Sequence, residues 1–432
     1  MNFLLEKFVS DRWQPAATVT LDDPPRGIGS PCTIEYLPDY ALEHLDAIGE
    51  AALSSAAPVS FDAQRHATWA PFLLDILPSG FGRELLVEHE RWPQPDGAHN
   101  DANVLIHGAG NPGGNVRVAE ACQWLHARLP AEAQGWQRED MHRHDADFIE
   151  YARLHGTLVA GTSTQGQAAK LWLTQHRDGL YYADTLVADD QAQAHYLMKM
   201  PRNPNDAVLL RHEYLWLKLA RQAGLVVHGE PFMSGDLLFI PRFDREIEGR
   251  HVRRGALESA YTLRGVARHG ATLFHEDILD DWIARADTAT FGAELLDYLQ
   301  RDMLGYCLRV DDNHGRNTAF FLTDDGLRLA PLFDFSPMFL CDDPPARSTY
   351  WRSFAPGFHN RWPILFDTWL PGRIGADNAA RLAAALVAWQ PQLAATHAAF
   401  LAAPRDARTV LCEASFITVL GALDALRQKI AG

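Results

Sequence analysis

Within Asp311-Asp312-Asn313-His314-Gly315-Arg316-Asn317 a carboxylate and an amide, Asp312 and Asn317, stand five apart. Asp334 follows in the short apolar run Leu332-Phe333-Asp334-Phe335, which reads as a strand. This is the order in which phosphoryl-transfer sites supply a base and then oxygen ligands for magnesium. Such a transfer needs little covalent help from protein. One carboxylate orients the attacking hydroxyl, and hard oxygen donors hold cations on the phosphates. A D-x4-N match also arises by chance, and the alternative is a polar turn with Asp312 capping and Asn317 in a left-handed conformation. Weight therefore rests on the other parts being present in the right order.

A glycine loop, Gly161-Thr162-Ser163-Thr164-Gln165-Gly166, precedes Lys170 in a strand pattern. Its backbone N–H groups and hydroxyls suit phosphate oxygens, although a polar hairpin loop would look the same. Lys199 lies in the apolar run Tyr196-Leu197-Met198-Lys199-Met200. An ammonium there is costly unless paired, and Glu213 on the following helix is the candidate carboxylate. The alternative is a solvated lysine on an edge strand. Lys170 competes for the same role, but phosphate lysines of kinases sit one strand after the glycine loop, which favours Lys199. His314 reads as a structural member of its loop. His142-Arg143-His144-Asp145 reads as a solvated face rather than a metal cluster. Arg242-Phe243-Asp244-Arg245 is either an ion-pair hinge or a surface loop.

These parts need elements to hold them. At 432 residues, 47% hydrophobic and 22% charged, the chain can form two or three packed domains. Residues 1–145 mix short strands (Ala17–Leu21, Cys32–Tyr36) with turns, a broken apolar stretch at Pro71–Leu86, and a polar linker from Gln134 to Asp147. Residues 146–255 read as strands around one helix, Asp206–Gly224, with Asp206 as its cap and Gly224 as its stop. Helical spacing recurs over 256–432, through Thr262–Phe274, Ala293–Leu308, Arg381–Ala399 and Ala414–Ile430. The fold class expected is α+β: a mixed N-terminal region with a β-rich subdomain, a nucleotide lobe, and an all-α C-terminal lobe in two-lobed, kinase-like order.

The formal charge of −16 argues against direct non-specific binding of nucleic acid. Lysine is scarce, with only Lys7, Lys170, Lys199, Lys218 and Lys429. The five cysteines are scattered without C-x-x-C, so neither disulfides nor zinc is indicated. No apolar run approaches the roughly 18 residues of a membrane span, and MNFLLEKF lacks signal-peptide character, so no membrane and a cytoplasmic location are expected.

Taken together these motifs resemble the HipA family, serine/threonine kinases known as toxins of type II toxin–antitoxin modules. Carrying the resemblance are Leu77-Pro78-Ser79-Gly80 with Arg83, Pro112-Gly113-Gly114, and Ser163-Thr164-Gln165-Gly166 with Lys170. It continues through Lys199, His212-Glu213-Tyr214, Arg242–Arg245, Asp312–Asn317 and Leu329–Asp334. The resemblance implies ATP and Mg2+ as cofactors, Asp312 as general base, and Asn317 and Asp334 as magnesium ligands. Lys199 with Glu213 would contact phosphates, together with Ser163, Thr164 and Gly166. Phe239 and Ile240 would lie near the adenine, and His314 beside the nucleotide. Ser163, or its neighbours Thr162 and Thr164, would be autophosphorylated, silencing the enzyme. Implied partners are a helix-turn-helix antitoxin of HipB type, through which alone DNA is met, and a protein substrate such as an aminoacyl-tRNA synthetase. Two departures stand out: Arg309-Val310 replace the family's frequent Gly-Asn, and Ala168 replaces a frequent glutamine. A silent nucleotide-binding regulator and a small-molecule kinase are the rival readings.

Overall fold

The computed structural model describes residues 1–92, 100–130, 132–143, 147–148, 151–152, 169–354 and 360–431, with only the backbone described at position 81. Strands β1 (Asn2–Val9) and β2 (Arg12–Leu21) form a hairpin turned at Ser10 and Asp11, both at positive φ (52° and 59°). That is the two-residue turn whose twist matches paired strands. With β3 (Cys32–Tyr36), β4 (Gln64–His66) and β5 (Val116–Val118) they make an antiparallel sheet of order β4-β3-β2-β1-β5. Alternate residues such as Phe3, Leu5, Val19 and Ile34 bury against helices α1 (Phe72–Ile76), α2 (Gly80–His89) and α3 (Asp101–Gly108). The break expected in Pro71–Leu86 is the Leu77–Ser79 turn between α1 and α2.

A second sheet, also antiparallel, holds β6 (Ala169–His176), β7 (Tyr181–Ala183), β8 (Ala192–Met200), β9 (Phe232–Ser234) and β10 (Leu237–Pro241) in the order β7-β6-β8-β10-β9. The stretch expected as a polar linker contributes to its core instead. Trp136 and Met141 are buried there, because an aromatic and a methionine among polar neighbours still have apolar surface to remove from water. Helix α4 (Pro204–Gln222) crosses the sheet. Its cap is Asn203, whose side chain accepts from the Asp206 backbone N–H at 3.0 Å, so Asp206 is one turn inside rather than the cap itself. Gly224 at φ +86° stops the helix as expected.

The remainder is mainly helical, but not all-α. Strands β11 (Leu257–Ser259), β12 (Ala319–Thr323) and β13 (Gly326–Leu329) form a three-stranded sheet, and β14 (Thr349–Tyr350) pairs in parallel with Leu273–Phe274. The Asp325-Gly326 step, with Gly326 at φ +127°, is a hairpin signal outweighed by the helical spacing around it. Helical spacing through Thr262–Phe274 is realised only at Ala260–Leu263, since Gly265 and Gly270 take positive φ. Leu332–Phe335 is not a strand. Three long helices, α5 (Phe291–Cys307), α6 (Ala376–Ala402) and α7 (Leu411–Ala431), complete this lobe. The segment Ala407–Ala431 is long and apolar enough, by length and composition, to cross a membrane. Its Cys412, Phe416, Val419, Leu423 and Leu426 are buried in the lobe's core.

Trp216 on α4 ties the small lobe's helix to this core. It is fully buried, and its indole N–H donates to Leu308 C=O at 3.0 Å. Trp216→Ala is expected to cost roughly 3–5 kcal/mol, read as a lowered denaturation midpoint by tryptophan fluorescence or circular dichroism.

Candidate active site

Two lysines face one another across neighbouring strands. Lys170 on β6 and Lys199 on β8 are register partners, and both line a cleft where the three cores meet. Lys199 Nζ donates to Glu213 Oε1 at 2.5 Å and to Asp334 Oδ1 at 2.6 Å, while Lys170 Nζ lies 3.9 Å from the same Asp334 oxygen. The strand alternation aims both side chains inward, and α4 brings Glu213 behind them. Burial pulls the Lys199 ammonium toward the neutral form, but Asp334 and Glu213 together outweigh it and raise its pKa. Lys170 lacks so close a pair, and burial lowers it to about 8, with Asp334 opposing and Lys199 adding to the fall. Burial also acts on Asp334, yet the two lysines hold it below the ordinary carboxylate range. Its backbone sits at φ +50°, a conformation that costs a non-glycine residue free energy and that clusters at working sites.

Asp312 and Asn317 border a second cavity that reaches Asp334 from the catalytic-lobe side. Burial, then the neighbouring Asp334, raises the Asp312 carboxyl to about 7, against the lysines. The Asn317 side-chain N–H donates to Asp312 C=O at 2.7 Å, which leaves Asn317 Oδ1 buried and without a hydrogen-bond partner among the described residues. An orphaned amide oxygen near a carboxylate is the kind of donor set a hard cation takes. No cluster of three His, Cys, Asp or Glu able to hold a metal exists among the described residues.

The loop carrying these groups is held at every step. Asn313 donates to Thr349 C=O at 2.7 Å, and its Oδ1 accepts from the backbone N–H of Ser348 and Thr349 at 2.9 and 3.2 Å. A Cβ on Gly315 would stand 2.6 Å from Leu273 and 2.7 Å from Tyr261. Burial drops the His314 imidazole to about 4; its Nδ1 accepts from the Arg316 N–H at 3.3 Å, and Nε2 stands 3.5 Å from Asp312 Oδ1. His314 thus braces the loop through Nδ1 and stands beside Asp312.

The structure therefore brings together Lys199, Glu213, Asp312, His314, Asn317 and Asp334. Ile240 lines the cleft beside Leu197 and Trp172. Phe239 does not: its ring stacks on Phe232 at 4.8 Å in the small-lobe core, because neighbouring strand residues point to opposite faces. Thr162, Ser163, Thr164 and Gly166, with His144 and Asp145, lie outside the described residues. Arg242–Arg245 is an ion-pair cluster and not a surface loop. Arg242 donates to both Asp244 oxygens at 2.9 and 2.7 Å, Arg245 donates to Asp244 at 2.6 Å, and Gly114 N–H donates to Asp244 at 2.8 Å. Sequence reasoning passed over Asn313 and Arg316, whose only signal was their place inside the motif.

Because its folded pKa lies above the unfolded value near 3.9, Asp312 favours folding below that value and the contribution is lost as pH rises to about 7. Asp312→Asn should therefore raise stability at pH 8 by roughly 1–4 kcal/mol and change it little at pH 4, read by thermal melts across that range.

Residues 162–384, more than half of the chain, match the family model of the HipA-like C-terminal domain. No curated protein matches the chain significantly. A solved HipA of Shewanella oneidensis MR-1, from its toxin–antitoxin complex with HipB and operator DNA, aligns at a TM-score of 0.62 and 17% identity, over 98% of this chain and 99% of that one. The Helicobacter pylori proinflammatory kinase CtkA aligns at a TM-score of only 0.35 and 13% identity, over 55% of this chain and 88% of that one, and carries no argument. The fold is the two-lobed, kinase-like α+β arrangement, and the chain belongs to the HipA-like family.

Proposed function

We propose that this protein is an ATP- and magnesium-dependent serine/threonine protein kinase, the toxin of a HipA-type module acting in the cytoplasm. The observation that carries this reading is Lys199 held at once by Glu213 and Asp334, with Asp312 and the unsatisfied Asn317 oxygen close by. In this reading Lys199 binds ATP phosphates while Glu213 fixes its direction, and Ile240 packs on the adenine with Phe239 behind it. Asn317 and Asp334 hold magnesium, which supplies charge neutralisation on the transferring phosphoryl group. Asp312 orients the acceptor hydroxyl and takes its proton. Ser163, Thr164 and Gly166 belong to the phosphate loop, with Ser163 the autophosphorylated residue. The chain then divides into an N-terminal unit, a nucleotide lobe and a catalytic lobe at the expected residues 145 and 255, except that Trp136 and Met141 pack with the nucleotide lobe. By analogy with the Shewanella complex, the partner is a HipB-type helix-turn-helix antitoxin that carries the DNA contact. The substrate is a protein, and an aminoacyl-tRNA synthetase is the class we favour.

Incubation with γ-labelled ATP and magnesium tests the reading. Label on protein, mapping to Ser163 or its neighbouring threonines, is expected. Asp312→Asn should lower transfer by about 10²–10⁴-fold, and chelating magnesium should abolish it. ATP turnover with unlabelled protein would point to a metabolite acceptor, and binding without turnover to a silent regulator. Because Asp312 must be ionised to accept a proton, kcat/KM for ATP-dependent transfer should climb with pH up to about 7 and level off above it. A profile flat from pH 5 to 8 would remove Asp312 from the role of base.

A further inference from the structure

Arg316 lies between Asn317 and the N-terminal unit, whose Phe72, Asp75 and Ile76 line the same cleft as Lys199 and Asp334. It is only 6% exposed, and its guanidinium donates to Leu74 C=O and, at 3.3 Å, to Ser79 Oγ. Leu74 belongs to α1 and Ser79 to the turn between α1 and α2, both in the N-terminal unit. The next residue is Asn317, and the preceding Gly315 is wedged against Tyr261 and Leu273. Two further contacts pin the same interface. Asp75 on α1 accepts from Ser259 N–H at 2.9 Å and Thr262 Oγ1 at 2.7 Å, and Glu258 accepts from Ser55 N–H and Oγ at 2.8 and 2.6 Å.

The chemistry at Arg316 is wasteful for stability alone. Among the described residues no carboxylate hydrogen-bonds the guanidinium, and its Nε has no partner. Asp75 is near enough to be felt, but it spends one oxygen on Ser259 and Thr262 and leaves Oδ1 unpartnered. A buried cation held mainly by a carbonyl and a hydroxyl costs free energy that an apolar side chain would avoid. What it adds is direction: a planar fork that ties the loop backbone to a fixed point on another unit.

We propose that Arg316 is a positioning residue through which the N-terminal unit sets the catalytic loop, so that this unit is a working part of the phosphotransfer site. The assignment rests on the kinase reading for its activity arm alone. By anchoring residue 316, α1 and the α1–α2 turn fix where the Asn317 oxygen and the Asp312 carboxylate stand.

The test compares Arg316→Met and Arg316→Lys with the parent chain. Met keeps the volume and removes the charge; Lys keeps the charge and one donor to Leu74 C=O. Melting temperature, affinity for ATP–magnesium, transfer rate, and amide exchange across 312–318 are measured. Arg316→Met is expected to melt no lower than the parent, bind ATP within twofold, and lose at least tenfold in kcat, with faster exchange in the loop. Arg316→Lys should recover most of the rate. A Met variant with parental kcat and parental loop exchange would overturn the proposal. So would a loss of rate in both variants that tracks a fall in melting temperature, since that is a merely structural role. If the parent chain transfers no phosphoryl group, the kinase reading fails by itself. Loop exchange then decides: faster in the Met variant supports the positioning role, unchanged overturns it.

Discussion

Lys199 is a buried ammonium held between two carboxylates, an arrangement that keeps a charge burial alone would remove. Its two partners come from different elements: Glu213 from the helix that crosses the small sheet, and Asp334 from the segment after the catalytic-lobe hairpin. Removing Lys199 would leave Glu213 buried without its cation, a loss of about 3–5 kcal/mol in comparable sites. The triad therefore fixes the distance between the lobes as well as the local chemistry. Asp334 can take its left-handed backbone because the two lysines over-determine where its carboxylate must lie.

Around that triad the loop 312–317 divides its labour residue by residue. Asn313 reaches outward to Ser348 and Thr349 and keeps the segment after Asp334 in place. Gly315 lets the backbone pass between Tyr261 and Leu273. Arg316 reaches back to the N-terminal unit, and Asn317 folds its amide onto Asp312. A polar turn with these residue types would need none of those contacts. Their convergence is what separates a built site from a chance match to a short pattern.

Much of this was legible because charge in an apolar setting is loud. Lys199 in a Tyr-Leu-Met-Lys-Met strand signalled pairing with Glu213, while Asp334 in a Leu-Phe-Asp-Phe run was expected as a metal ligand and its pairing with Lys199 was not foreseen. The hairpin at Asp325-Gly326 carried an equally clear signal, but surrounding helical periodicity drowned it, and the lobe was expected to be all helix. Asp334 was expected in a strand because its neighbours are apolar; the demands of its carboxylate override that local preference. Trp136 and Met141 were lost inside a polar stretch, since single large side chains make no periodic pattern. Phe239 went the wrong way by one residue, the smallest error a strand allows and one that reverses its face. Arg309, where the family often has glycine, stands at φ +53°, so the backbone shape survives a change that sequence comparison alone would call a departure.

Lys170 and Lys199 are neighbours of the same kind that differ in one property, the availability of a lone pair. Lys199 is kept protonated by two carboxylates and is chemically inert at any ordinary pH. Lys170, lowered to about 8, exposes a free amine for an appreciable fraction of the time in mildly alkaline solution. The strand that carries it thus presents the cleft's one good nucleophile among these two amines. Reactivity, more than charge, is what the cross-strand pairing has divided between them.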